Sequence, residues 1–458
     1  MDMHPLDAYI HEHLETALDE LMAYCRIPSV FHDLQALQEA ATWLEDAFRR
    51  RGFQVFRYEH PSGVAPVIWA ERRGRRSDRV LLIYNHYDVQ PPDPLDEWDH
   101  PPFEPTRRGN FLFARGVSDD KGHLISRLLA VDAWLAVHGD LPCTVRFVVE
   151  GEEEGRKSET LRAMMEEHRD RFQAQGCIWE FGGVGEDDVP LQHLGMRGIA
   201  YFELEVQALK RDVHSGIGGS FLPNAAWRLV WALNSIKTPD ERVHIPGFYD
   251  DVQPPSPRDL QLLAQMPHRF RDFADLLEPP QTFLKDETDP VALYRMAVFE
   301  PSCTITGLQA GYQGPGAKTV LPARARAKLE FRLVPWQKPE DIAEKLRRHL
   351  TEQGFEDIQV HFLGGLYPMK MDPDHPFVDL VVETAREVYG RPMVKVPMVG
   401  PSGPAYLFVH HLGLPTATAG IAYPGSRIHA PNENIRIDLF EKGARHMARI
   451  FHAFAQAG

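Results

Sequence analysis

Short apolar runs that stop abruptly at histidine or acid recur through the first part of the chain, with helical patterns between them. Val80-Leu81-Leu82-Ile83-Tyr84 stops at Asn85-His86-Tyr87-Asp88, and Phe111-Leu112-Phe113-Ala114 leads to Ser118-Asp119-Asp120. Phe147-Val148-Val149 runs into Glu150-Gly151-Glu152-Glu153-Glu154-Gly155, and Cys177-Ile178-Trp179 stops at Glu180. Runs this short and uniformly apolar fit strands buried on both faces, as in a parallel sheet. Helical stretches such as Leu34 to Arg51, with Leu37, Ala40, Ala41, Leu44 and Phe48 on one side, alternate with them. The pattern predicts an α/β domain whose mainly parallel central sheet carries helices on both faces.

Open sheets of this kind hold their chemistry in loops at the carboxyl ends of strands. His86, Asp119, Glu153, Glu154 and Glu180 should therefore meet at one sheet edge. Like charges so crowded are unfavourable unless water or cations compensate them. Imidazole plus carboxylates, with no thiolate, suits zinc, manganese or cobalt at a hydrolytic site. Further on, Thr416 to Ile421 leads into Ser426-Arg427-Ile428-His429-Ala430-Pro431-Asn432-Glu433, which puts His429 in a loop where another ligand belongs. In an extended His-x-Asp, His86 and Asp88 point the same way, so the carboxylate can orient the imidazole. One of the two aspartates Asp119 and Asp120 suffices to cap the helix that follows, which leaves the other for different work. With 22 histidines in the chain, none is diagnostic alone. His11 and His13 do not share a helix face, and His410-His411 is expected to end a helix.

A net charge of −15 argues against nucleic acid or an anionic membrane as partner. No apolar run reaches the ~18 residues of a membrane helix, and the opening Met1-Asp2-Met3-His4-Pro5 lacks the pattern of a signal peptide. The cysteines, Cys25, Cys143, Cys177 and Cys303, are isolated and predict reduced core thiols in a cytoplasmic protein.

The patterning changes near Arg197. Ala200 to Val206 and Arg324 to Val334 alternate as one-sided strands, each followed by a helical pattern, and the first style returns after Gly364-Gly365. The expected organisation is a first catalytic part over 1–197, an inserted α+β domain over 198–364, and a second catalytic part over 365–458.

Four motifs in order, Asn85-His86-Tyr87-Asp88-Val89-Gln90-Pro91, Gly116-Val117-Ser118-Asp119-Asp120-Lys121-Gly122, Glu150-Gly151-Glu152-Glu153-Glu154-Gly155 and Ser426 to Glu433, resemble those of the M20 metallopeptidases. The string Ile245-Pro246-Gly247-Phe248-Tyr249-Asp250-Asp251-Val252 is similar to the dipeptidase branch more than to the deacetylases. The resemblance implies a zinc-peptidase-like catalytic domain with an inserted lid that dimerises, and two divalent ions, zinc first, with manganese or cobalt as alternatives. By the family pattern Asp119 bridges the ions, His86 and Glu180 complete one site, and Glu154 and His429 the other. Asp88 orients His86, and Glu153 is the general base for a hydroxide held between the ions. With Asp119, Glu154 and Glu180 supplying three negative charges, two divalent ions and one hydroxide make a neutral cluster.

In the lid, His214 resembles a histidine that reaches the partner subunit's site in a homodimer, and Arg332 one that pairs with a substrate carboxylate. Thr319 and Ser402 resemble substrate-contacting positions. The implied activity is hydrolysis of dipeptides or short peptides with a free C-terminal carboxylate, the alternative being N-acyl-amino-acid deacylation at the same centre. The chain departs from many relatives at Glu180, where aspartate is common, at Asn85, where glycine is frequent, and at Thr319, where asparagine is common.

Overall fold

A computed structural model of the chain describes residues 3–61, 65–156, 158–266 and 289–457. The chain opens with helices His4–Glu12 (α1), Leu14–Cys25 (α2) and Leu34–Arg50 (α3). The apolar spacing from residue 7 to 24 predicts one helix, but the chain breaks at His13. That ring stacks on Tyr9, and its Nδ1 bonds the Tyr9 carbonyl at 2.9 Å. Asp33 caps α3 by accepting from the Ala36 amide at 3.1 Å, and the expected stripe of Leu37, Ala40, Ala41, Leu44 and Phe48 is buried.

Strands Gln54–Tyr58 (β1), Val67–Arg72 (β2) and Arg76–His86 (β3) follow, then helix Gly122–His138 (α4) and strand Cys143–Glu150 (β4). A helical turn at Glu153–Arg156, helix Glu159–Glu167 (α5) and strand Gly176–Trp179 (β5) complete this stretch. A second sheet draws on Gly198–Gln207 (β6), Ser302–Ala310 (β7), Arg324–Leu333 (β8) and Gln359–Leu366 (β9). Helices Ala225–Ile236 (α6), Pro257–Gln265 (α7), Pro290–Phe299 (α8) and Pro339–Glu352 (α9) lie between those strands in sequence. The chain then returns to the first sheet through helix Pro376–Thr384 (α10), strand Thr416–Thr418 (β10) and helix Ile437–Gln456 (α11).

The first sheet runs β1-β2-β4-β3-β5-β10. The β4–β3, β3–β5 and β5–β10 pairs are parallel, and β1–β2 and β2–β4 are antiparallel. Successive residues of β3 enter different cores. Leu81 and Ile83 pack in one apolar cluster with residues of α4 and α11, while Leu82 and Tyr84 pack in another with Leu161, Met164 and Phe408. Burial on both faces is what the unbroken apolar run required. Because β4, β3, β5 and β10 are mutually parallel, their carboxyl ends share one edge.

One strand assignment changes. Phe111–Phe113 is not in this sheet; it pairs antiparallel with Thr106–Arg108 and Asn434–Arg436. Asp119 reaches the sheet edge from the turn ahead of α4 instead of from a strand end.

The second sheet is antiparallel, in the order β7-β8-β6-β9, with its own core around Phe202, Leu229, Phe331 and Leu346. Strict alternation in β8 buries Ala325, Ala327, Leu329, Phe331 and Leu333 on one side. The edge strand β7 is largely exposed and escapes recognition in the sequence, since little of Ser302 to Ala310 is drawn into the core.

Candidate metal centre

His86 ends β3 and is buried. Its Nδ1 lies 3.0 Å from the Asp88 backbone carbonyl and 3.4 Å from Asp88 Oδ1. A carbonyl can only accept, so Nδ1 donates to it, and Nε2 is the nitrogen turned towards the carboxylates, where a cation could take the place of its proton. The carbonyl is thus the closer orienting group. The Asp88 carboxylate has a second task, accepting the backbone amides of Glu153 at 3.3 Å and Glu154 at 2.8 Å. One residue therefore fixes both the histidine after β3 and the acidic turn after β4.

His86 Nε2 is 3.0 Å from Asp119 Oδ1 and 3.9 Å from Glu180 Oε2. His429 Nε2 is 2.9 Å from Asp119 Oδ2 and 3.2 Å from Glu154 Oε2. Asp119 thus touches a histidine with each oxygen. Possible ligand atoms fall into two groups, His86 with Asp120 and Glu180, and Asp119 with Glu154 and His429, each within 4.8 Å. Asp120 was not foreseen as a member; it follows Asp119 through a cis peptide, and its Oδ2 accepts from Asn85 Nδ2 at 2.5 Å and the His86 amide at 3.2 Å.

Three buried carboxylate oxygens here, Glu154 Oε1, Glu180 Oε2 and Asp120 Oδ1, have no hydrogen-bond partner among the described residues. Burial raises the Glu153 and Glu180 carboxyls well above the usual range against the pull of His86, and neighbouring carboxylates add to the rise. Although burial opposes its charge, hydrogen bonds with Asp119 and Glu154 push the His429 imidazole up to about 10. Orphaned acceptors and acids that resist ionisation together describe a site built around cations. The residues fit divalent metal.

The loops are held from behind. Glu433 accepts from Arg115 Nη1 at 2.7 Å and from the amides of Gly116, Ser118 and Asp119 at 3.0, 2.8 and 3.0 Å. Gln90 Nε2 donates to Glu154 Oε2 at 2.8 Å. Of the remaining acids in the Glu150–Gly155 stretch, Glu150 accepts from Tyr84 Oη at 2.6 Å and Glu152 from the amide and hydroxyl of Thr160, both at 2.8 Å. These two acids are buried and structural.

A cleft of about 830 Å³ opens over the cluster, lined also by Glu153, Phe181, Tyr201, Arg332 and Ser402. Arg332 Nη1 donates to Ser402 Oγ at 3.2 Å, and its Nε pairs with Glu330 at 3.2 Å. His214 and Thr319 are not among the lining residues. They sit on an exposed part of the second sheet's unit, His214 Nε2 lying 3.1 Å from Thr319 Oγ1.

Parallel strand ends presenting imidazole and carboxylates in two adjoining groups are the framework of a metallopeptidase. The chain belongs to peptidase family M20/M25/M40, whose family model matches residues 82–453. It is 27% identical over 410 residues to Beta-Ala-His dipeptidase of Homo sapiens, covering 86% of this chain and 78% of that protein. It is 26% identical over 451 residues to Cys-Gly metallodipeptidase dug1 of Schizosaccharomyces pombe, covering 94% and 93%. Among solved structures it is similar to the M20 family metallo-carboxypeptidase Sso-CP2 from Sulfolobus solfataricus, with a TM-score of 0.89, 31% identity, and 96% and 99% of the two chains covered.

Proposed function

We propose that this metallopeptidase hydrolyses dipeptides or short peptides ending in a free carboxylate, with Glu153 as general base and two divalent ions, zinc first, in the paired ligand groups. One observation carries the base assignment. Among the described residues, the acids lining the cleft are Asp119, Asp120, Glu154 and Glu180, which belong to the ligand groups, and Glu153, which does not. Asp119 serves both groups, His86 and Glu180 hold one ion, and Glu154 and His429 hold the other. Ions bound there lower the pKa of water towards ~7 and polarise the scissile carbonyl. Glu153, aimed by the Asp88 carboxylate, takes the proton of the attacking water and passes it to the leaving amine. Arg332, with Ser402 beside it, receives the substrate carboxylate, a pairing suited to the guanidinium fork.

The relatives' names, two dipeptidases and a carboxypeptidase, favour peptide substrates over N-acyl amino acids. His214 and Thr319 act on the site of a second copy in a homodimer formed through the inserted domain, taken as 198–364 between catalytic parts 1–197 and 365–458. That assembly is supported by apolar side chains left in water on this unit, with Ile217 and Phe221 each 74% and Trp231 55% exposed, and by the open edge of β7. Among the described residues no helix is long and apolar enough to cross a membrane. The four free, buried cysteines support a cytoplasmic location.

Glu153→Gln in the zinc-reconstituted protein tests the base. Turnover of a dipeptide panel should fall about 10²–10⁴-fold while both ions are retained. Near-normal turnover with full metal content refutes the assignment, and turnover of acyl amino acids but not dipeptides refutes the substrate class.

A further inference from the structure

Arg127 lies on α4 and is 2% exposed, with no carboxylate in ion-pair distance among the described residues. A guanidinium so placed is costly unless its donors are satisfied. Five oxygens satisfy its two terminal nitrogens, while Nε has no partner among the described residues. Nη1 donates to the Tyr84 carbonyl at 3.1 Å and to Asn85 Oδ1 at 2.9 Å. Nη2 donates to the carbonyls of Trp179, Glu180 and Ala419 at 2.7, 2.8 and 2.9 Å. These acceptors belong to the carboxyl ends of β3, β5 and β10, which are neighbours in the sheet. The side chain thus ties together the strand ends that deliver His86 and Glu180.

Asn85 extends this contact to a third ligand candidate. Its Oδ1 is taken by Arg127, which leaves Nδ2 to donate to Asp120 Oδ2 at 2.5 Å. The amide cannot flip without opposing donor to donor at Arg127 and acceptor to acceptor at Asp120. The His86 amide completes the grip on Asp120 Oδ2 at 3.2 Å, and Asp120 Oδ1 remains buried and unpartnered. None of these contacts touches Glu154 or His429. Glu154, in the other ligand group, is steadied separately by Gln90, and Asp119, which serves both groups, by the grip of Glu433 on its amide.

We propose that Arg127, acting directly on the strand ends and through Asn85 on Asp120, is the positioning residue for the His86–Asp120–Glu180 half of the centre alone. A fixed positive charge beneath the carboxylates and a one-way amide between them hold this half ready for its ion. The proposal rests on the two-ion reading of the site. It also gives Asn85, a departure from the glycine frequent in relatives, a specific task.

The test is titration of the full-length, chelator-treated protein with Co²⁺, followed by d–d absorption and by competition with a chelator. Wild type should take up two ions in spectroscopically distinct steps. Asn85→Ala should weaken one step about 10–100-fold, the scale of losses on removing a supporting hydrogen bond, and leave the other spectrum and affinity unchanged. Arg127→Lys keeps the charge but cannot span five acceptors, and should weaken the same step. Gln90→Leu should weaken the opposite one. If Arg127→Lys does not fold, Asn85→Ala decides alone. Equal weakening of both ions by Asn85→Ala, or of neither, overturns the proposal. Uptake of fewer than two ions by wild type instead overturns the two-ion reading beneath it.

Discussion

Replacing Glu433 with alanine should damage both the fold and the metal centre. Its carboxylate and the Arg115 guanidinium are each 1% exposed and 2.7 Å apart, and three backbone amides converge on the same group. Glu433→Ala leaves a buried cation without its counter-charge, a loss of about 3–5 kcal/mol where one partner of a buried pair is removed. Among the described residues Arg115 then keeps its bond to the Pro91 carbonyl at 3.2 Å and its position over the Trp98 ring. At roughly 2.1 cal/mol/K per residue the unfolding entropy of the whole chain is about 1 kcal/mol/K, so the melting temperature should drop about 3–5 °C. Because the Asp119 amide is one of the freed donors, divalent-ion affinity should fall as well, by about 10–100-fold. Glu433→Gln keeps an acceptor but loses the charge and turns an NH₂ towards a donor, so it should fall between wild type and alanine. Scanning calorimetry of the ion-free protein and a metal titration read the two effects separately. An alanine variant with the wild-type melting temperature and unaltered metal affinity would refute the assigned role.

Other outcomes follow from the same structure. Asp88→Ala should reduce metal affinity and turnover together, since His86 keeps its carbonyl partner while Glu153 and Glu154 lose the group that fixes their turn; a turnover loss with intact metal binding would confine Asp88 to the base. Saturating zinc should raise thermal stability by about 4 kcal/mol for each bound ion at a thousandfold excess over Kd, and chelator should remove that gain; equal melting with and without zinc would contradict a metal site formed only in the folded chain. Burial depresses the His446 imidazole to about 4, below the ordinary ~6.5. The unfolded chain therefore binds more protons between these values, and stability should fall by up to about 3 kcal/mol as pH drops from 6.5 to 4. Urea unfolding of His446→Gln should show a flatter loss across that window, and an unchanged slope would assign the acid sensitivity elsewhere. Trp231→Asp should yield a monomer by light scattering if the inserted unit forms the homodimer, and an unaltered molar mass would exclude this surface.

The ligand candidates were legible in the sequence because a strand buried on both faces must be apolar throughout, so the residue that ends it is conspicuous. His86 after Val80–Tyr84 and Glu180 after Cys177–Trp179 carry that signal directly. Asp119 carries its signal in its motif and not in a preceding buried strand, since the short segment at 111–113 pairs with Thr106–Arg108 and Asn434–Arg436. The edge strand β7 was invisible for the converse reason: a strand that buries little leaves little apolar period to read.

What supports the ligands could come only from the folded chain. Glu433 meets Arg115 across 318 positions, and Arg127 reaches Ala419 across 292. Periodicity reports which face of a segment is buried but not which distant atom a buried polar group will meet. Asp120 shows the same limit: in the sequence it is one of two adjacent acids, and only the fold shows that Asn85 Nδ2 and the His86 amide hold one of its oxygens. The sequence by itself determined the sheet, its reactive edge and the acids and histidines brought there. Tertiary structure decided which buried donors and acceptors hold them in place, because hydrogen-bond geometry between residues hundreds apart exists only after the strands have paired.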